Sequence, residues 1–248
     1  MKNINTILAV GTLAAVCGAA EAALIAAWDF QTTTNGGTAL AAAPNTPKVI
    51  TANFGAGTIY LDGSNGSSNF FQPATGSTNT ELNAFGGTSL NADTTIGMST
   101  VTTGAAALAI VGGSGAFPPP ANGKSMVFKF SMANLANLSI SYATQRTGTG
   151  FTSQVLEYST DGATWSSIGS NDSIQGSFSV NSPVVTSFST NGLNGATVAY
   201  VRMTLTGATT TTGNNRFDNF IFSADVIPAP GAAALLGLAG LVTTRRRK

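Results

Sequence analysis

The chain has 248 residues, and only 8% are charged: 11 Lys and Arg against 10 Asp and Glu, with no histidine and one cysteine. A nucleic-acid partner would need a surplus of basic side chains to neutralise phosphates, and there is none. The lack of histidine excludes Ser-His-Asp triads, Cys-His dyads and His-ligated zinc, and 43% hydrophobic residues exclude disorder driven by charge.

Residues 1–22 have the pattern of a secretory signal peptide. Lys2 supplies the basic start, residues 7–20 are a short apolar stretch, and Ala20-Glu21-Ala22 places small residues at both positions that specify cleavage. Cys17 lies inside the apolar stretch behind Val16, which does not suit lipid attachment. Cleavage after Ala22 therefore leaves no cysteine, so the exported domain is held by its core and hydrogen bonds, or by a metal, rather than by disulfides.

Residues 23–226 show no sustained helical period. Short alternating runs recur between Gly, Asn, Ser and Thr clusters. They begin with residues 24–30 (LIAAWDF) and 57–61 (GTIYL) before the Asp62-Gly63 turn, then 105–111 before Gly112-Gly113 and the prolines 118–120. The second half continues with 125–130 (SMVFKF), the alternation Leu138, Ile140, Tyr142, and 151–159 leading to the Thr160-Asp161-Gly162 turn. Runs at 165–168 and 184–188 follow. In 197–205, Ala199, Val201, Met203 and Leu205 share one face and Tyr200 and Arg202 the other. Residues 217–224 (FDNFIFSA) close the domain, with Phe220 and Phe222 expected to point inward, opposite Ile221. About ten such strands in one unit predict an all-β fold of two packed antiparallel sheets.

Residues 227–248 form a tail. Pro228-Ala229-Pro230-Gly231 breaks the chain, residues 232–242 are small and apolar, and Arg245-Arg246-Arg247-Lys248 ends it. The 14 residues from Gly231 to Thr244 span roughly 21 Å as a helix, against about 30 Å of bilayer hydrocarbon. This is short for a permanent anchor and suits transient insertion with the basic end in the cytoplasm. The two ends hold five of the eleven basic residues and one of the ten acidic ones, so the trimmed domain is weakly acidic.

The Pro motif, apolar helix and basic cluster resemble the PEP-CTERM sorting tail, with Ala229 where that pattern has Glu. The resemblance implies processing by an exosortase-like enzyme near Pro228 and Pro230, recognition of Arg245, Arg246 and Arg247, and delivery to the cell surface or extracellular matrix. The hairpin YSTDGATW, the Thr-rich strands and the closing strand, across residues 125–225, resemble the jelly-roll domains of bacterial surface proteins and carbohydrate-binding modules. That resemblance implies a jelly-roll sandwich, here flanked by the signal helix and the short hydrophobic helix, with first and last strands as neighbours. It also implies a structural Ca²⁺ near carboxylates on those strands, which makes Asp29 and Asp218 the candidate metal ligands.

Calcium takes six to eight oxygens, and Asn214, Asn215 and Asn219 are close enough in sequence to supply some. The plainer role for each Asp is a turn cap or a pair with Arg216. Asp62, Asn65 and Asn69 form a second oxygen-rich group, for which an ordinary turn is the plainer reading. Aromatic rings stack on sugar faces, so Trp28, Tyr60, Tyr142, Tyr158, Trp165 and Tyr200 are candidates. Trp28 reads as core from its Ala and Leu neighbours, and Trp165, after a turn, is the more open choice. Tyr142, Gln145 and Arg146 form a polar cluster at a strand end, and Arg146, Arg202 and Arg216 could hold acidic sugars or pair internally with Glu157, Asp161 or Asp218.

Glycoside hydrolysis needs two acids about 5–9.5 Å apart across a cleft, and nothing in the spacing of Glu81 and Glu157 brings a pair together. The expected function is therefore non-catalytic: a structural or adhesive surface or matrix protein, with polysaccharide recognition as the alternative and glycan processing as a weaker third.

Overall fold

The computed structural model describes residues 22–31, 47–72, 80–100, 106–112, 121–174, 176 and 185–228. The expected signal peptide up to residue 21, Cys17, Pro230 and the basic cluster Arg245, Arg246 and Arg247 lie outside them, as do both expected flanking helices. Among the described residues no helix is long and apolar enough to cross a membrane.

Thirteen strands are found there: β1 (Ala22–Trp28), β2 (Val49–Thr51), β3 (Phe54–Gly55), β4 (Gly57–Tyr60), β5 (Leu82–Gly86), β6 (Ala106–Val111), β7 (Ser125–Phe130), β8 (Leu135–Arg146), β9 (Ser153–Ser159), β10 (Ser166–Asn171), β11 (Val185–Thr190), β12 (Ala199–Thr206) and β13 (Asn214–Val226). One sheet runs β11-β8-β13-β1-β3, with β6 also on β13 and β5 on β6; the other runs β10-β9-β12-β7-β4-β2. The strand pairs are antiparallel, as expected for a two-sheet sandwich.

Period-2 alternation builds the interior. In β12, Ala199, Val201, Met203 and Leu205 are fully buried while Tyr200, Arg202 and Thr204 are half-buried on the other face. Leu138, Ile140 and Tyr142 do the same in β8. Phe128 crosses from the second sheet to meet Phe220 and Phe222 of the first at 4.9 and 5.0 Å between ring centres. Trp28 packs edge-on to Phe128 and Phe222 at 5.5 Å, its indole N–H satisfied by the Ile50 carbonyl. Such aromatic pairs are each worth roughly 0.5–1.5 kcal/mol beyond their buried area, which makes this cluster the main tie between the sheets.

Two edges of the sandwich are tied across the sheets. Asn53 links β2 in one sheet to β3 in the other, its N–H donating to the Ala27 carbonyl. At the opposite edge the Asn171 amide of β10 donates to the Thr186 hydroxyl of β11 at 3.0 Å. The hairpin turn falls where Asp161-Gly162 places it. Gly162 takes φ 73°, and Asp161 accepts from the Ala163 and Thr164 amides and the Ser159 hydroxyl. Those bonds hold the Asp161 carboxyl far below the usual carboxylate range, the Thr164 amide contributing most.

Candidate functional site: a polar cluster at a bulge of the last strand

Phe217, Phe220 and Phe222 are all fully buried in the core. Strict alternation would turn Phe217 away from the other two. The conflict is resolved by one extra residue: the pairing with β8 passes from Asp218↔Ala143 to Ile221↔Ser141. Asn219 makes the bulge by adopting φ 49°, a left-handed conformation that Asn tolerates better than most residues. Asp218 and Asn219 therefore lie side by side between two inward phenylalanines.

Both are fully buried because the segment after β5 covers them. The Thr88 amide donates to Asp218 Oδ2 at 2.7 Å, and the Asn219 amide nitrogen donates to the carbonyls of Thr88 and Leu90 at 2.9 and 2.7 Å. Asn91 reaches back with its side-chain amide to the Asn219 carbonyl at 2.7 Å and the Ser141 hydroxyl at 3.1 Å.

Asp29 completes the group. β1 runs antiparallel to β13 and ends on the pair Trp28↔Phe220, so the next residue comes beside the bulge. Asp29 is fully buried; its amide donates to Asn53 Oδ1 and its Oδ1 accepts from the Gln31 amide, each at 3.1 Å. The first and last strands are thus neighbours, as expected, and Asp29 and Asp218 act on each other electrostatically.

Burial drives the Asp218 carboxyl well above the usual carboxylate range. The Thr88 and Asn219 amides oppose that shift and the like charge of Asp29 adds to it. A cation seated between the two strands would offset the like charges of Asp29 and Asp218. Among the described residues no third His, Cys, Asp or Glu joins them, so further ligands would be amide or carbonyl oxygens and water. One such oxygen is at hand: Asn219 Oδ1 is buried and accepts no hydrogen bond. The donor set is all oxygen, which fits a hard cation such as Ca²⁺.

Asn214 and Asn215 do not belong to this cluster. Asn215 pairs with Ile110 and Arg146 farther along β13, and the Asn214 amide donates to the Thr212 carbonyl. Arg216 forms no pair with Asp218; its guanidinium stacks over Phe85 at 4.6 Å. The second oxygen group is occupied by lysines, with Lys48 on Asn69 Oδ1 at 2.9 Å and Lys129 on Asn65 Oδ1 at 3.3 Å, while Asp62 caps Ser64. Two ammonium groups make it unsuitable for a cation.

The ligand candidates separate. Tyr142 is corrected to a core residue: it is fully buried and its hydroxyl donates to Gln154 at 2.7 Å. Alternation along β8 had already placed it inward, and that outweighs its proximity to Arg146. Arg146 donates to the main-chain carbonyls of Thr147, Gly148 and Ile174. Trp165 is half-buried outside the second sheet, with the Arg202 guanidinium 4.3 Å from its ring centre and Arg202 paired to Glu157 at 2.6 Å. Tyr200 on the same face carries Lys129 at 5.6 Å, and Tyr60 shares a cross-strand row with Val127 and Arg202. Glu81 is fully buried and ion-paired to Lys124.

Gln31, Asn53, Thr88 and Asn91 escaped the sequence reading. They lie far apart in the chain and in segments without periodicity. Only the left-handed preference of Asn at a position where three phenylalanines break alternation could have signalled the bulge.

The fold is a two-sheet antiparallel β-sandwich with a buried acidic cluster where its first and last strands meet. No protein-family model matches the chain, and no curated protein matches it. Among solved structures it is similar to the K3 cleaved adhesin domain of Lys-gingipain from Porphyromonas gingivalis, at 12% identity over 82% of this chain and 99% of that one, TM-score 0.39. It is also similar to CsCBM6-3 from Clostridium stercorarium in complex with cellobiose, at 16% identity over 63% of this chain and 86% of that one, TM-score 0.32. A third is the N-terminal part of a Clostridium thermocellum endo-1,4-beta-D-xylanase complexed with xylohexaose, at 10% identity over 60% of this chain, TM-score 0.35. The match spans 25% of that solved chain.

Proposed function

We propose that this is an exported, non-catalytic jelly-roll protein of the cell surface or extracellular matrix, structural or adhesive in role, with its first and last strands stapled by Ca²⁺. The observation that carries the non-catalytic reading is the placement of the acids. Glu157 is paired to Arg202, Glu81 is buried against Lys124, and Asp29 and Asp218 lie beneath a covering segment. Glycan hydrolysis needs two acids facing each other across an open cleft, and these four are committed elsewhere.

Processing at both ends suits this geometry. Ala22 pairs with Asp225, and the Ile227 amide donates to the Asn134 carbonyl, so the expected cleavage points after Ala22 and near Pro228 lie at one end of the sandwich. The tail through Pro230 and Arg245–Arg247 would be removed by an exosortase-like enzyme after transient membrane insertion.

Polysaccharide recognition is the second reading. It is favoured by Trp165, Tyr200 and Tyr60 sharing the outer face of one sheet with Arg202 and Lys129.

Full-length protein applied to a glycan array, followed by an assay for released reducing ends, tests both. Retention without hydrolysis, lost on Trp165→Ala, supports the polysaccharide reading, and no retention favours the structural one. Release of reducing ends that disappears in Glu157→Gln or Glu81→Gln rejects the non-catalytic assignment. The cation is tested by melting in millimolar Ca²⁺ and in chelator. A metal bound only to the folded state at a hundredfold excess over Kd adds about 2.7 kcal/mol, and Asp218→Asn should abolish that gain. Identical melting curves would reject the staple.

A further inference from the structure

Asn219 joins the acidic cluster to the segment that covers it. Its backbone lies at φ 49°, where glycine is the easier residue, yet a carboxamide is present and fully buried. The orientation of that carboxamide is fixed, because only its nitrogen can donate to the two carbonyls, Thr88 and Leu90, that it meets. The oxygen is thereby turned away from the covering segment and accepts nothing. Its neighbour in the bulge is Asp218, whose Oδ1 accepts the Asn219 amide at 2.9 Å. Side-chain fastenings of residues 87–91 to the sheet run through or beside this cluster: Thr88 to Asp218, Asn91 to the Asn219 carbonyl and Ser141, Gln31 to the Thr88 carbonyl. Gly87 passes so close that a Cβ there would lie 2.5 Å from Asp218 Oδ2.

We propose that Asn219 is a bifunctional coupling residue, its Oδ1 a ligand of a hard cation seated at Asp29 and Asp218 and its Nδ2 the clasp on residues 88–90, so that cation binding sets whether this strap is fastened to the sheet. The proposal rests on the cation reading above and extends it from a staple between two strands to control of a surface segment. The coupling is mechanical. A cation that fixes Oδ1 fixes the whole carboxamide plane, and the two donors on its nitrogen with it. It also fixes Asp218, whose Oδ2 accepts the Thr88 amide at 2.7 Å. Without the cation, both acceptor and clasp lose their fixed partner at once.

The test uses full-length protein, with Ca²⁺ affinity from equilibrium dialysis and hydrogen exchange measured on the peptide covering residues 87–98. Wild type should bind Ca²⁺ and exchange at least tenfold faster in this peptide in chelator, with no comparable change in β7 or β12. Asn219→Gly keeps the left-handed backbone and removes both functions; its affinity should fall at least tenfold and its strap should exchange rapidly even with Ca²⁺. Asn219→Asp keeps an oxygen ligand but has no amide donors. It should bind Ca²⁺ at least as tightly as wild type while its strap stays unprotected. If wild type binds no Ca²⁺, the cation reading fails and the coupling with it. If wild type binds but Asn219→Gly binds equally, or Asn219→Asp loses the metal, the ligand role of Asn219 is overturned and the staple stands alone. Calcium-independent exchange of the strap in a calcium-binding wild type overturns the coupling.

Discussion

Deleting Asn219 tests the bulge more severely than any substitution there. With one residue removed, strict alternation returns to β13, and Phe217 can no longer face the core together with Phe220 and Phe222. The cheaper outcome turns out the short N-terminal arm, residues 214–217, rather than the longer arm that pairs with β1. That expels the fully buried Phe217, which packs 5.9 Å from Phe220 and 6.2 Å from Tyr142. Loss of a buried phenylalanine costs about 3–5 kcal/mol. The two hydrogen bonds from Asn219 to the covering segment are lost as well, at about 1 kcal/mol net each. The sum reaches about 5 kcal/mol or more, comparable to the whole stability of many domains at about 5–15 kcal/mol. Asn219→Gly loses the same two hydrogen bonds but keeps the bulge and relieves the left-handed backbone, so it should cost no more than about 2 kcal/mol. Urea unfolding of both variants in chelator, followed by tryptophan fluorescence, separates the two effects; Trp28 sits in the core beside Phe222 and reports its loss. A deletion variant within about 1 kcal/mol of wild type would refute the claim that one extra residue at 218–219 sets the inward face.

Two other predictions concern residues other than Asn219. Tyr142 is buried with its hydroxyl on Gln154, and burial raises its phenol far above the ordinary value of about 10. Since the folded state favours the protonated phenol, this contribution is complete below about pH 10 and is lost as pH rises toward the folded-state value. Tyr142→Phe should therefore be less stable at neutral pH, by about 1 kcal/mol for the lost hydrogen bond, and should flatten the fall in Tm above pH 10; ionisation of Tyr142 near pH 10 in the folded protein, seen at 295 nm, would contradict its burial. Gly213 passes so close to the Thr149 carbonyl that a Cβ would lie 2.1 Å from its oxygen, whereas Gly148 has nothing within 4 Å. Gly213→Ala should lower Tm by several degrees and Gly148→Ala should leave it within about a degree, and equal Tm values would mean that this loop yields freely.

The sandwich was legible because its signal is local and repeated. Val201, Met203 and Leu205 alternate with Arg202 and Thr204, and Asp161-Gly162 marks its turn by the conformations those residues accept. The adjacency of Asp29 and Asp218 was reached by analogy with jelly rolls, and the pairing of Trp28 with Phe220 delivers it. The covering segment was not legible, because residues 87–91 have no period and their partners lie about 130 positions away in β13. The short strands β2, β3 and β5 were not anticipated, and strand edges shifted by up to three residues, as in β10 and β13; Asp29 stands just past β1, where its side chain caps the Gln31 amide instead of continuing the ladder.

Tyr142 shows how two local signals can compete. Its position in an alternating strand argued for the core, and its proximity to Gln145 and Arg146 argued for a surface site. Desolvating an aromatic ring gains free energy in proportion to its area, and the single hydroxyl was satisfied internally by Gln154, so the alternation prevailed. Asn219 presents the opposite balance. A buried carboxamide in a left-handed strand residue is unfavourable for both backbone and side chain, and nothing in core packing requires the amide, since glycine would make the same bulge. Its two donors account for the nitrogen. The buried oxygen accepts no hydrogen bond, and a cation held at Asp218 would satisfy it, which is the physical ground for assigning this bulge, rather than the outer aromatic face, to the staple.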